Sequence, residues 1–232
     1  LYGGTYRLFE DVRKRSSGLE FSFVDLSDSK KIQEAVRPNT KMIWVESPTN
    51  PLLKLVDLPA IAKFAKDNNI ISVCDNTFCS PYIQKPLDFG IDIVVHSATK
   101  YLNGHSDVVG GVVVCAEDRE DLSDEMFYLS NSVGGILSPF DSFLLLRSLK
   151  TLSVRMDRHC ESALKLSKFL ENHKAIEKVI YPGLTSHPQH HVAKKQMHKF
   201  GGMITAILKG GLNASKTFLE NTRIFSLAES LG

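Results

Sequence analysis

The sequence predicts an α/β protein, with a mainly parallel sheet carrying helices on both faces and the start of a smaller C-terminal α/β domain behind it. Three observations carry this. Over the first two-thirds of the chain, short apolar runs of strand length alternate with amphipathic helical segments, the pattern of βαβ units. Those runs are apolar almost throughout, as strands covered on both faces are. Polar residues then cluster just after the ends of the runs, where ligands bind in such sheets.

The elements follow in order. Glu20-Phe21-Ser22-Phe23-Val24-Asp25 alternates polar and apolar residues and predicts a strand. Ser29 to Val36 predicts a short helix stopped near Pro38. Met42-Ile43-Trp44-Val45-Glu46 is an apolar run that ends in the breaker cluster Ser47-Pro48-Thr49-Asn50-Pro51. Asp57 is placed to cap a helix whose apolar face is Leu58, Ile61, Ala62 and Ala65. Ile70 to Cys74 predicts a strand stopping at Asp75, Ile91 to Val95 another, and Val108 to Cys115 a third. From Phe140 to about His173 the apolar spacing is helical, over a length that leaves room for a break or bend. Ile176 to Tyr181 and Met203 to Leu208 read as strands, and Val192 to Lys199 and Ser215 to Glu220 as helices. The division is expected at 145: residues 1–145 form a large ligand-binding domain whose N-terminal part is missing, and residues 146–232 a linking helix and part of the smaller domain.

Composition narrows the function. The chain has 232 residues, 43% hydrophobic and 23% charged, the balance of a soluble globular protein. A net charge of +2 gives no bulk electrostatic case for nucleic acid. No run of about 18 apolar residues predicts a membrane span. The start, Leu1-Tyr2-Gly3-Gly4, lacks the basic and apolar regions of a signal peptide. Cys74, Cys79, Cys115 and Cys160 are too sparse for a disulfide scaffold. Cys74 and Cys115 read as small buried hydrophobes, and a reducing, cytoplasmic setting is the simplest expectation. The sequon Asn213-Ala214-Ser215 matters only in a secreted protein. The chain begins without Met and ends on Leu231-Gly232, so it reads as a window on a longer polypeptide.

Four short segments carry chemistry. Ser97-Ala98-Thr99-Lys100 follows a strand. A lysine in a partly buried pocket there has its pKa depressed and becomes a nucleophile able to form Schiff bases with carbonyls, including that of pyridoxal phosphate (PLP). The hydroxyls of Ser97 and Thr99 suit a phosphate. An exposed loop lysine capped by Ser and Thr fits the same tetrapeptide. Asp75 closes a buried strand and needs a partner, for which a pyridinium nitrogen serves; a turn or helix-cap aspartate is the alternative. Asn50, between two breakers, presents its amide in a defined turn, as ordinary turn asparagines also do. Tyr2-Gly3-Gly4-Thr5 combines a ring able to stack with glycines that let backbone approach a ligand. The histidine-rich stretch Ser186 to His191 reads as a solvated loop, Cys74-x4-Cys79 lacks a second pair, and no metal is expected. His105 reads as a hydrogen-bonded structural histidine.

Taken together, Tyr2-Gly3-Gly4-Thr5, Pro48-Thr49-Asn50-Pro51, Asp75-Asn76-Thr77, Ser97-Ala98-Thr99-Lys100-Tyr101, Asn103-Gly104-His105-Ser106-Asp107 and Leu227-Ala228-Glu229-Ser230-Leu231-Gly232 occur in this order along the whole chain. The set closely resembles the Cys/Met-metabolism family of PLP enzymes, which includes cystathionine γ-lyases, γ-synthases and β-lyases and methionine γ-lyases. The resemblance implies the PLP-dependent transferase fold (fold type I), with Lys100 anchoring the cofactor and shuttling protons. It implies Asp75 on the pyridine nitrogen, Tyr2 stacked on the ring, Thr77 near the other face, Asn50 on the phenolic oxygen, and Ser97 and Thr99 on the phosphate. Glu229 and Ser230, with Tyr2, would face the substrate. The family's substrate-carboxylate arginine lies beyond Gly232, and the Tyr and Arg lent by a neighbouring subunit lie before Leu1.

The implied activity is elimination on a sulfur amino acid. The block Ser97 to Asp107 and Tyr181-Pro182-Gly183-Leu184 resemble the γ-lyases closely, with γ-synthase, β-lyase or methionine γ-lyase chemistry as alternatives. The implied assembly is a homotetramer, a dimer of dimers, with no nucleic-acid or membrane partner. Two readings of other classes stand beside it: an inactive scaffold or binding protein of this fold, and a cofactor-free Schiff-base enzyme, which would leave Asp75 and Tyr2 without a role.

Overall fold

Four strands form one sheet in the order β1-β2-β3-β4 in the computed structural model, which describes residues 1–228: β1 (Met42–Glu46), β2 (Ile71–Asp75), β3 (Ile93–Ser97) and β4 (Gly111–Cys115). The first three are parallel, and β4 runs antiparallel to β3. Register aligns the strand ends: Glu46 lies opposite Asp75, Asp75 opposite Val95, and Ser97 opposite Gly111.

The connection from β1 to β2 contains α4 (Leu58–Asp67), numbered after three earlier helices described below. Asp57 caps it as expected, its Oδ1 accepting the Ala60 N–H at 3.1 Å. The predicted face, Leu58, Ile61, Ala62 and Ala65, is buried against Ile43, Val45, Ile70 and Ile91. The sheet's other side packs on the second half of the chain. Leu55, Cys79, Ile83, Ala98 and Leu102 share one core with Leu145, Leu152, Met156, Cys160 and Ala193.

The long helical stretch is two helices, α7 (Pro139–Leu149) and α8 (Leu152–Glu171), broken at Lys150–Thr151. Ser138 caps α7 by accepting the Asp141 N–H at 3.0 Å. Beyond α8, β5 (Ile176–Ile180) and β6 (Thr205–Leu208) pair antiparallel as a second sheet. It is flanked by α9 (His190–Gln196) and α10 (Gly211–Glu220), which start earlier than their apolar spacing predicted. α6 (Glu120–Val133) was not anticipated, and none of its residues is buried.

Four expectations are corrected. Residues 20–25 form no strand. Their alternating aromatic residues pack instead on the N-terminal helical rod, made of α1 (Gly3–Arg7), a π-wound stretch (Leu8–Arg13) and α2 (Lys14–Ser17). Phe21 stacks on Phe9 with centroids 5.0 Å apart, and Phe23 meets Tyr6 at 4.8 Å. Ring contacts thus take the place of a strand ladder, while Phe23 and Tyr6 stay largely exposed. α3 (Ser29–Ala35) follows where predicted. The strand expected at Ile91 to Val95 is shifted to 93–97, because β4 continues the ladder as far as Gly111. Residues 108–110 stay outside β4: the Gly110 carbonyl accepts from Ala98 N–H at 2.8 Å and so wraps the turn after β3. Cys115 is only half-buried, since β4 leaves one side exposed, whereas Cys74 is buried as expected. Among the described residues, no helix is long and apolar enough to cross a membrane.

A buried amide network pins the connection after β1. Gln84 Nε2 donates to the Ser47 carbonyl at 3.1 Å and to Asn76 Oδ1 at 3.0 Å. Asn76 Nδ2 returns a bond to the Gln84 carbonyl at 2.8 Å. Gln196 Nε2 donates to Gln84 Oε1 at 3.1 Å and to the Val56 carbonyl at 3.0 Å. Losing one partner strands several buried polar groups, each at a cost of about 1–3 kcal/mol. Gln84→Met is therefore expected to destabilise the protein by about 2–4 kcal/mol. Lys63→Ala, which removes only an exposed ion pair, should change stability by less than about 0.5 kcal/mol. Urea-unfolding midpoints of the two variants check this contrast.

Candidate active site

The carboxyl ends of β1, β2 and β3 open into a cavity of about 290 Å³. Burial of the strands on both faces leaves their ends as the place for polar side chains. Tyr2, Asn50, Asp75, Thr77, Ser97, Thr99 and Lys100, all singled out from the sequence for the cofactor, line this cavity together.

Asp75 ends β2 with little access to solvent. Its Oδ1 accepts from the Thr77 N–H at 3.0 Å and the Thr77 hydroxyl at 2.6 Å. Burial pushes its carboxyl above the usual range, and the two Thr77 bonds oppose that rise. Thr77 also accepts the Ser97 N–H at 2.9 Å, so one hydroxyl ties the end of β2 to the end of β3. That linking role was not read from the sequence, which assigned Thr77 only a place by the ring.

Lys100 lies in the tight turn after β3. Its N–H donates to the Ser97 carbonyl at 3.2 Å, and its carbonyl accepts the Gly104 N–H at 2.7 Å. Burial lowers its ammonium pKa, the shift a nucleophilic lysine needs. Arg155 on α8 ties the same turn to the end of α7: Nη1 donates to the Tyr101 carbonyl at 2.8 Å and Nη2 to the Ser148 carbonyl at 3.0 Å. Gly104 has φ +72°, and a Cβ there would meet Arg155 Nη1 at 2.2 Å. Glycine is required at that position on both counts. Thr99 holds the turn to β4 by accepting the Gly110 N–H at 3.1 Å.

Tyr2 stands at the start of α1 with its ring half-exposed. A Cβ on Gly4 would lie 2.5 Å from that ring. The glycine thus makes room for the Tyr2 ring. Asn50 sits in the turn closed by Leu53 N–H on the Thr49 carbonyl at 2.8 Å, where both Ser47-Pro48 and Asn50-Pro51 are cis.

Glu46 was not singled out from the sequence. It ends β1, lines the cavity, and accepts the Tyr2 N–H on Oε2 and the Asn50 N–H on Oε1, both at 2.6 Å. Burial raises its carboxyl, while the two N–H bonds oppose the rise. The signal was available, since an acidic residue closing an apolar run drew attention to Asp75 and applies equally here. Pro48, Phe78 and Val109 complete the lining and carry no comparable polar signal.

Glu229 and Ser230, expected on the substrate side, lie outside the described residues. His105 Nδ1 lies 2.6 Å from the Asn103 carbonyl and 3.1 Å from Ser148 Oγ, a structural histidine as expected. The histidine-rich stretch is not wholly the solvated loop expected: His187 is buried, and His187 and His190 bond to the carbonyls of Leu53 and Pro182 at 3.1 and 2.7 Å, since the stretch packs on the connection after β1.

The donor set fits PLP. A buried carboxylate can accept a pyridinium N–H, an amine of lowered pKa can react with an aldehyde, two hydroxyls lie beside a backbone turn for phosphate, and an aromatic ring borders the cavity.

The sequence model of the family described as Cys/Met metabolism PLP-dependent enzyme matches residues 1–232. A cystathionine β-lyase of Coxiella burnetii is 60% identical over 232 residues, which are 100% of this chain and 60% of that protein. A cystathionine γ-lyase of Dictyostelium discoideum is 50% identical over 232 residues, 100% of this chain and 59% of that protein. The crystal structure of cystathionine γ-lyase from Lactobacillus plantarum complexed with L-serine aligns with a TM-score of 0.95 at 47% identity, covering 99% of this chain and 59% of that one. The chain therefore spans about three-fifths of the length of these relatives.

Thr77→Val keeps shape and the backbone N–H bond to Asp75 but removes the hydroxyl bond to that carboxylate and the acceptor of the Ser97 N–H. Because the folded pKa of Asp75 lies above its unfolded value, its stabilising contribution is fully present below the unfolded range and lost as pH rises through the folded pKa. The substitution moves that pKa further up, so the deficit of the variant grows with pH. In cofactor-free protein it should reach about 2–3 kcal/mol at pH 8 and narrow toward pH 4. Urea unfolding of both proteins across that range checks it, and a pH-independent deficit would remove Asp75 from the explanation.

Proposed function

The chain belongs to the Cys/Met metabolism PLP-dependent enzyme family, and from that premise we propose that the protein eliminates a thiol from a sulfur amino acid, with cystathionine as substrate. The observation that carries the proposal is the meeting of an amine of lowered pKa, Lys100, and a buried carboxylate, Asp75, in one cavity at the strand ends.

In this reading Lys100 anchors the cofactor through Nζ, Asp75 pairs with its ring nitrogen, Asn50 bonds its phenolic oxygen, and Ser97 and Thr99 hold its phosphate. Tyr2 covers the ring. PLP, when bound, supplies an electrophilic aldehyde and a ring that accepts the electrons left on loss of the α-proton. Lys100 Nζ would take a proton from the substrate's α-carbon and return it on the leaving-sulfur side, and the lowering of its pKa by burial favours the neutral amine that such a base requires. Asp75 would pair with the ring nitrogen, and the two Thr77 bonds fix the direction of its carboxylate. We also assign Glu229 and Ser230, with Tyr2, to substrate binding. A homotetramer built as a dimer of dimers and a cytoplasmic location belong to the same reading.

γ-Elimination, yielding cysteine, 2-oxobutanoate and ammonia from cystathionine and water, is the reading favoured by the block Ser97 to Asp107 and by Tyr181 to Leu184. β-Elimination, yielding homocysteine, pyruvate and ammonia, is the second, and the 60% identity to a protein named cystathionine β-lyase favours it. Full-length protein should carry a visible band that borohydride bleaches, leaving a pyridoxyl group on Lys100 by peptide mapping. Lys100→Ala should lower turnover at least about 10²-fold. The keto acid released from L-cystathionine separates the two eliminations. A colourless protein that stays colourless with added PLP would overturn the proposal.

A further inference from the structure

We infer that Glu46 is a positioning residue of this pocket: its carboxylate holds the backbone of Tyr2 on one oxygen and that of Asn50 on the other, and so sets the ring and the amide that meet the cofactor. The inference rests on the cofactor reading proposed above and adds a residue to it.

The geometry is specific. Tyr2 and Asn50 come from separate segments, 44 and 4 residues from Glu46, and each N–H reaches its own carboxylate oxygen at 2.6 Å. Glu46 is only 9% exposed. A carboxylate that deep is costly unless its oxygens are satisfied, and those two N–H groups do this. A second buried carboxylate, Asp75, sits opposite it in the β1–β2 register, which raises the cost further. A glutamine would bury more cheaply, but its NH₂ group would face one of the two N–H donors. Only a carboxylate offers an acceptor to each.

What the bonds hold is the cofactor side of the cavity. Helix α1 buries none of its residues, and Tyr2 is 48% exposed. Core packing therefore does little to set Tyr2, and the bond from its N–H to the end of β1 ties the ring to the sheet. Asn50 lies in a turn after the same strand, and the bond to its own N–H sets how its side chain leaves the turn. Glu46 itself need not touch the cofactor. It acts through two residues that line the cavity from different segments, on strand ends held in register with Asp75.

The test uses full-length protein. Glu46→Gln, Asn50→Ala and the double variant are titrated with PLP after cofactor removal, following the absorbance and induced circular dichroism of the bound form. Glu46→Gln should weaken PLP binding about 10–100-fold, as loss of hydrogen bonds to a charged group does, and reduce the induced dichroism. The double variant should be little worse than the worse single one, because Glu46 acts partly through Asn50. Losses that simply add, or a Glu46→Gln protein with wild-type affinity and dichroism, overturn the inference. Should Glu46→Gln not fold, Glu46→Asp keeps the charge but is one methylene too short to reach both donors; wild-type binding by that variant overturns the inference equally. A wild-type protein without a cofactor band overturns the proposed function, and this inference with it. A wild-type protein with the band beside an unaffected variant overturns the inference alone.

Discussion

A parallel sheet covered on both faces has nowhere to carry polar side chains except its strand ends, and the pairing register decides which of them meet. Here the β1–β2 ladder sets Glu46 against Asp75, and β3 runs two residues past Val95 to Ser97. Three polar residues are thereby brought to one rim by backbone hydrogen bonds alone. A shift of one residue in either ladder would turn these side chains into the apolar layers on the sheet's faces. The register is held by what it buries: Ile43 and Val45 face α4, and Ala98 and Leu102, just past β3, enter the core formed with α7 and α8.

The rim is stiffened by polar contacts that reach across the sequence. The Gln84, Asn76 and Gln196 amides satisfy one another and the carbonyls of Ser47 and Val56, so the connection leaving β1 is held to α9 without an ionised group. Gln189 adds two bonds to the backbone of Leu55. A fully satisfied network specifies one arrangement, whereas a partly satisfied one would cost more than an apolar replacement. Thr77 does the same on a smaller scale, bonding Asp75 and Ser97 with a single hydroxyl.

Much of this was legible in the sequence where a local signal and the tertiary result agree. Met42 to Glu46 is apolar, of strand length and followed by breakers, and it forms β1 with those bounds. Asp57 precedes a helical apolar spacing and caps α4. The pocket residues were readable because strand-end position and chemical type coincide in Asp75, Ser97 and Lys100. Failures arose where partners distant in sequence decided the outcome. Phe21 and Phe23 alternate as a strand would, yet they found rings on the N-terminal rod. The length of β3 depends on where β4 stops. Glu46 carried the same strand-end signal as Asp75, but its partners are backbone N–H groups, which carry no sequence signature.

The grip of Arg155 on the turn after Lys100 has a consequence for how this sequence can vary. The guanidinium reaches the turn only because Gly104 has no side chain, and Gly104 keeps its left-handed conformation against that same guanidinium. Lysine cannot replace the arginine, since one ammonium does not reproduce a planar fork to the Tyr101 and Ser148 carbonyls. Nor can a larger residue enter at 104 while the arginine stays. Although 51 positions separate them in the chain, the two residues share one turn, and substitution at either is constrained by the other.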